Sequence, residues 1–89
     1  MIAMTQIRMY TTEWCGYCVR AKMLLDSKGI AYEEIQMEDT PDFRKKLVEL
    51  TGNWTVPQII IGETPIGGYT ELAAIARAGG LDEYVQPAA

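Results

Sequence analysis

Cys15 and Cys18, two residues apart in Trp14-Cys15-Gly16-Tyr17-Cys18, are the only cysteines among 89 residues, and no histidine accompanies them. They stand where a short apolar run, Ile7-Arg8-Met9-Tyr10, gives way to a helical pattern. Two thiols so placed predict thiol-disulfide exchange. A sulfur at the first turn of a helix meets outward-pointing backbone N–H groups and a macrodipole that favours negative charge. The thiolate is the nucleophile, so this position raises reactivity at neutral pH. A second thiol one turn further on can resolve a mixed disulfide formed on the first. Cys15, at the helix entry, is the expected nucleophile, and Cys18, on the core-facing stripe, the resolving partner. Tyr17 between them offers its ring as one wall of a groove. A structural zinc site is the competing reading, but it needs a full tetrahedron of nitrogen or sulfur ligands that two cysteines do not complete.

Composition narrows the setting. Hydrophobic residues at 48% and charged residues at 22% describe an ordinary soluble globular chain, and the length suits one domain over residues 1–89. Twelve acidic against eight basic residues leave a net charge of -4. With no basic stripe, neither nucleic acid nor an anionic membrane is an expected partner. No stretch approaches the ~18 apolar residues of a membrane span, and Met1-Ile2-Ala3-Met4 lacks the charged start of a secretory signal. A cytoplasmic monomer is expected. Thiols there are kept reduced, which favours a redox pair over a permanent staple.

The elements that must hold the pair follow from periodicity. Cys18, Ala21, Leu24 and Leu25 share one helical face, with Arg20, Lys22 and Asp26 outward, and Gly29 ends the helix. Ala31 to Met37 reads as a second strand that buries Tyr32 and Ile35. Thr40 reads as an N-cap with Pro41 at the first helical position, Phe43, Leu47 and Leu50 form a stripe, and Gly52 closes that helix. Gln58 to Ile61, a turn at Gly62-Glu63, and Thr64-Pro65-Ile66 form a hairpin whose proline restricts the last strand to an edge. A third helix begins near Thr70, buries Leu72, Ile75 and Ala76, and stops at Gly79-Gly80. A short turn from Leu81 to Val85 caps the core. The order is β-α-β-α-β-β-α, an α/β architecture with a mixed sheet. Met9 and Met23 read as core filler, and Trp54 as a residue on the groove rim.

Several of these motifs together carry a resemblance. Tyr10-Thr11, Trp14 to Cys18, Arg20-Ala21-Lys22, Thr55-Val56-Pro57, Gly67-Gly68-Tyr69-Thr70 and Gly79-Gly80-Leu81 make the chain similar to the bacterial dithiol glutaredoxins over essentially its whole length. The resemblance implies a thioredoxin fold with a central four-stranded mixed sheet. It also implies a glutathione-disulfide oxidoreductase that reduces protein-glutathione mixed disulfides and protein disulfides through Cys15 and Cys18. Glutathione would be the co-substrate, and disulfide-containing or glutathionylated proteins the partners.

The same resemblance implies the binding residues. Thr55, Val56 and Pro57 would carry a cis Val56-Pro57 bond that leaves the Val56 backbone free to pair with a peptide-like ligand. Gly68, Tyr69 and Thr70 would hold the γ-glutamyl end of glutathione. On the residues alone, Gly67-Gly68 before a helix is more often a plain turn than an anion site. Arg44 matches a family contact for the glycine carboxylate, whereas on the residues alone Arg44-Lys45-Lys46 is a solvated helix face. Family members commonly place a lysine where this chain has Thr12. Losing that cation should weaken binding by on the order of 0.2–1 kcal/mol. Lys22 should favour the thiolate and Glu13 oppose it.

Two departures keep other readings open. Gly16 stands where many dithiol members carry proline, and Trp14 replaces a smaller residue. Relatives with glycine or serine there include proteins that hold a [2Fe-2S] cluster between two subunits through the first cysteine and glutathione. Cys15 would be the ligand in that case, and otherwise no metal is expected. Trp14 to Cys18 also resembles mycoredoxin-like and thioredoxin-like reductants that draw on another electron donor.

Overall fold

Alternation along Ile7–Thr11 makes strand β1: Ile7, Met9 and Thr11 are buried, while Arg8 and Tyr10 are half-buried. The computed structural model describes residues 7–84, and within them β1 is an inner strand. It pairs in parallel with β2 (Glu33–Gln36) and antiparallel with β3 (Gln58–Ile61), which pairs antiparallel with β4 (Thr64–Gly67). The sheet order is β2-β1-β3-β4. Helix α1 (Gly16–Ser27) joins β1 to β2, α2 (Pro41–Thr51) joins β2 to β3, and α3 (Tyr69–Arg77) follows the hairpin. This is the four-stranded mixed sheet of the thioredoxin fold, in the expected order.

The main core lies between the sheet and the α1/α3 pair, where Ile7, Met9, Ala21, Leu25, Ile30, Ile59, Leu72 and Leu81 are buried together. Phe43 and Leu47 of α2 are buried on the other face. Strand β3 is covered on both sides, so Ile59 and Ile60 are both buried, as a continuous apolar run implies. Pro65 sits on the edge strand β4, and a register shift against β3 falls between Ile59 and Ile60, where an edge tolerates both.

Helix α2 has the expected punctuation. The Thr40 hydroxyl accepts from the Phe43 N–H at 3.1 Å, Pro41 opens the helix, and Gly52 closes it at φ +84°. Three expectations about burial are corrected. Leu50 is 42% exposed, because it lies in the last turn of α2, beyond Phe43 and Leu47, the residues that helix buries. Met23 is 64% exposed, since it lies roughly 140° around α1 from Cys18 at 100° per residue. Tyr32 and Ile35 are half-buried, because β2 is an edge strand, shorter than the expected 31–37 segment. Helix α1 ends on Lys28, with Gly29 at φ +70°. Helix α3 starts at Tyr69, one residue early, and buries Leu72 fully while Ile75 and Ala76 are partly covered. The final turn is a 3-10 segment over Asp82–Tyr84 that follows the buried Leu81. Val85, Met1 and Met4 lie outside the described residues.

Candidate active site

The chain leaves β1 at Thr11, and Trp14 then adopts φ +60°, a left-handed conformation that costs a non-glycine residue about 1–2 kcal/mol. Trp14 stands 98% exposed, and the turn it makes delivers Cys15 to the start of α1. Cys15 is the N-cap residue of that helix, in extended conformation, and its sulfur accepts from the Cys18 backbone N–H at 3.1 Å. Cys15 is half-buried, whereas Cys18 is 1% exposed. The two are joined as a disulfide, with Cα atoms 5.2 Å apart. One sulfur therefore faces the surface and the other lies behind it, as the helical spacing predicts.

Two grooves lie side by side next to the cysteine pair, and Cys15 lines one of them. One, of about 850 Å³, is lined by Thr12, Trp14, Cys15, Met37 and Arg44 with Glu13, Glu38 and Asp39. The other, of about 510 Å³, is lined by Thr55, Pro57, Gly68, Tyr69 and Thr70 with Glu71. Tyr17 and Val56 line both. The Tyr17 ring is thus a shared wall, 6.3 Å from the Tyr69 ring centre and 5.5 Å from the Arg20 guanidinium carbon. The Val56 carbonyl oxygen lies 3.7 Å from the Cys15 sulfur, and the Val56-Pro57 bond is cis. Cys15 and every glutathione contact named in advance line these two grooves, while Cys18 is buried beneath Cys15.

The α3 end of the site is rich in backbone donors. Gly68 is its N-cap and has no side chain to cap the first turn. The Gly68 N–H itself donates to the Glu71 carboxylate at 2.8 Å. A Cβ at Gly67, at φ +110°, would fall 2.8 Å from that same carboxylate oxygen, so glycine is needed there.

Arg44 is held more tightly than a solvated helix face would be. Its Nε donates to Asp39 Oδ1 at 2.6 Å, its Nη2 to Asp39 Oδ2 at 2.8 Å, and its Nη1 to the Trp54 carbonyl at 2.7 Å. The guanidinium carbon also lies 5.9 Å from the centre of the Trp54 ring. Hydrogen bonding to Arg44 holds the Asp39 carboxyl below its ordinary value, and the same bonds push Arg44 up. Trp54 is exposed but lines neither groove; it flanks the Cys15 groove through Arg44. Asp39 was not foreseen. The signal was an acidic residue just ahead of an N-cap, within reach of an arginine in the following turn.

Lys22 does not act near Cys15. Two turns along α1, it donates to Glu34 Oε2 at 3.0 Å, and that oxygen also accepts from the Thr11 hydroxyl at 2.7 Å. The Thr11 hydrogen bond, then Lys22, holds the Glu34 carboxyl below its ordinary value against its partial burial. The cluster ties β1, β2 and α1 together just behind the active-site loop.

Among the described residues no group of three or more Cys, His, Asp or Glu side chains is placed to hold a metal ion. Toward an iron-sulfur cluster the chain offers the one surface-facing sulfur of Cys15, with Cys18 buried, so it does not form a cluster site by itself.

A glutaredoxin family model matches residues 7–66. A glutaredoxin from Pseudomonas aeruginosa is 49% identical over 79 residues, covering 89% of this chain and 94% of that protein. Glutaredoxin 3 of Escherichia coli K12 is 42% identical over 79 residues, covering 89% and 95%. The structure of a buckwheat glutaredoxin in complex with glutathione superposes with a TM-score of 0.79 at 31% identity, covering 91% of this chain and 76% of that one. Matched through its redox-active Cys15-Cys18 pair and along most of its length, the chain belongs to the glutaredoxin family.

Proposed function

We propose that the chain is a glutathione-dependent thiol-disulfide oxidoreductase that reduces protein-glutathione mixed disulfides and protein disulfides in the cytoplasm. The observation that carries this reading is the Cys15 sulfur at the N-cap of α1, hydrogen-bonded by the Cys18 N–H, lining one groove and lying 3.7 Å from the carbonyl oxygen of Val56, a residue that lines both. The helix dipole favours a negative group there by about 0.3–1 kcal/mol, and an N–H bond to a charged acceptor contributes about 1.5–3 kcal/mol. The hydrogen bond is the larger effect. Both act in the same direction, toward the charged form of the sulfur once the disulfide is reduced.

In the proposed reaction the Cys15 thiolate attacks the glutathione sulfur of a mixed disulfide. The S–S bond breaks, the protein leaves as a thiolate that takes a proton from water, and Cys15 is left glutathionylated. A second glutathione thiolate then attacks the glutathione sulfur, which frees Cys15 and releases glutathione disulfide. For a protein disulfide, Cys18 attacks the mixed disulfide on Cys15, and two glutathiones reduce the resulting Cys15-Cys18 bond. Glutathione lying across Val56 would reach Gly68, Tyr69 and Thr70 at one end and the Arg44 side at the other. The buckwheat relative in complex with glutathione supports that choice of thiol.

Glutathione-dependent reduction of a glutathionylated protein, followed by coupled oxidation of a nicotinamide cofactor through glutathione reductase, tests the proposal. Cys18→Ser should retain at least about a third of the activity on mixed disulfides and lose it on protein disulfides. Equal loss on both substrates discards the single-thiol route. Turnover with mycothiol or thioredoxin reductase but not with glutathione discards the donor.

A further inference from the structure

Among the described residues Arg44 is the single cation lining the Cys15 groove, and it shares that groove with Glu13, Glu38 and Asp39. A thiol substrate that ends in a free carboxylate would look for a cation there. Asp39 already holds two of the guanidinium nitrogens, at 2.6 and 2.8 Å, and the Trp54 carbonyl takes the third at 2.7 Å. The pair is only partly shielded, with side-chain exposures of 25% for Arg44 and 54% for Asp39. An incoming carboxylate must therefore share Arg44 with a resident one and also approach two further acids.

We propose that Asp39 is a specificity-determining residue that, by occupying Arg44, weakens recognition of the free carboxylate of glutathione beside Cys15 and so narrows the preference of the site for a carboxylate over an uncharged amide at that end. The inference rests on the glutathione reading above and names what that site prefers. A backbone amide brings no charge to the groove, so the surrounding acids do not repel it. Asp39 acts through Arg44 and takes no part in the exchange of sulfur bonds.

Steady-state kinetics with a matched pair of small mixed disulfides separates this role from a structural one. One is glutathione joined to 2-mercaptoethanol; the other carries glycinamide in place of the terminal glycine. Asp39→Asn should lower KM for the free-carboxylate substrate about two- to fivefold, the range of an exposed ion pair, with kcat unchanged. KM for the amide should move less than about 1.5-fold. Asp39→Ser should behave alike, and the gain should vanish in Asp39→Asn combined with Arg44→Gln, because the effect runs through Arg44. An unchanged or raised KM for the carboxylate, or an equal gain for the amide, overturns the inference. If the unaltered chain turns over neither substrate, the glutathione reading falls and takes the inference with it. If it turns over both and Asp39→Asn leaves the KM ratio unchanged, only the inference falls.

Discussion

Helices α1 and α2 begin in the same way with different atoms. At α2 the Thr40 hydroxyl accepts from the Phe43 N–H, and at α1 the Cys15 sulfur accepts from the Cys18 N–H, each at 3.1 Å. Both N-cap residues have extended backbones. The first turns differ. Asp42 stands in the first turn of α2, where its charge complements the dipole, whereas the first turn of α1 carries no acidic residue. Carboxylates are favoured at helix N-termini, so the vacancy in α1 leaves the positive end of the dipole to the sulfur. One device, a side-chain acceptor at N-cap, starts a helix in one place and prepares a nucleophile in the other.

The largest effect should come from exchanging the atom at α1. Serine is as good an N-cap as any residue, so Cys15→Ser should keep α1 and the fold. A serine hydroxyl does not replace a thiolate in disulfide exchange, so turnover should drop at least about a thousandfold. Thermal melting under reducing conditions should differ by no more than about 3 °C, which is less than 1 kcal/mol for a domain of this size. A collapse in melting temperature alongside the lost activity would show that the sulfur itself is structural and would end the comparison.

The reciprocal change at α2 should act on stability alone. Thr40→Ala removes the oxygen that satisfies the Phe43 N–H, at a cost of about 1 kcal/mol or roughly 4–8 °C in melting temperature. Turnover of a mixed disulfide should stay within about twofold. A larger loss of activity would mean that α2 positions the site through Arg44, and the two helix starts would no longer be separable.

What could be read in advance follows the same division between local and distant causes. Thr40, Pro41 and Gly52 bounded α2 because capping, fixed φ and left-handed backbone are local properties, and Pro65 marked the edge strand for a similar reason. Cys15 and Cys18 differ in burial because three residues are nearly one helical turn. Burial of Met23 and Leu50 was misjudged because residue type says nothing about where a helix face points or how far along a helix its covered stretch runs. The cis Val56-Pro57 bond came only through the family resemblance, since about 5–6% of such bonds are cis in folded proteins. The pairing of Lys22 with Glu34 and the grip of Asp39 on Arg44 depend on how α1 and the segment between β2 and α2 settle on the fold. The first leaves no mark in spacing, and the second only an acid just ahead of the Thr40 N-cap with an arginine five residues on.

The subtlest difference between the two helix starts is the missing acid, and Gly16 is where to restore it. A Cβ there meets no atom within 4 Å, and Gly16 is the first residue of α1, so Gly16→Glu should be accommodated. It should stabilise the fold by about 0.3–1 kcal/mol through the dipole, with a further gain from replacing glycine in a helix. The same negative charge repels the Cys15 thiolate and competes for the dipole that favours it. Alkylation of Cys15 by iodoacetamide, measured against pH, should therefore shift to higher pH, with the rate at neutral pH reduced about two- to fivefold. Stability and reactivity would then move in opposite directions from one substitution. A variant that gains stability with an unchanged alkylation profile would show that the hydrogen bond from the Cys18 N–H accounts for the thiolate without help from the dipole.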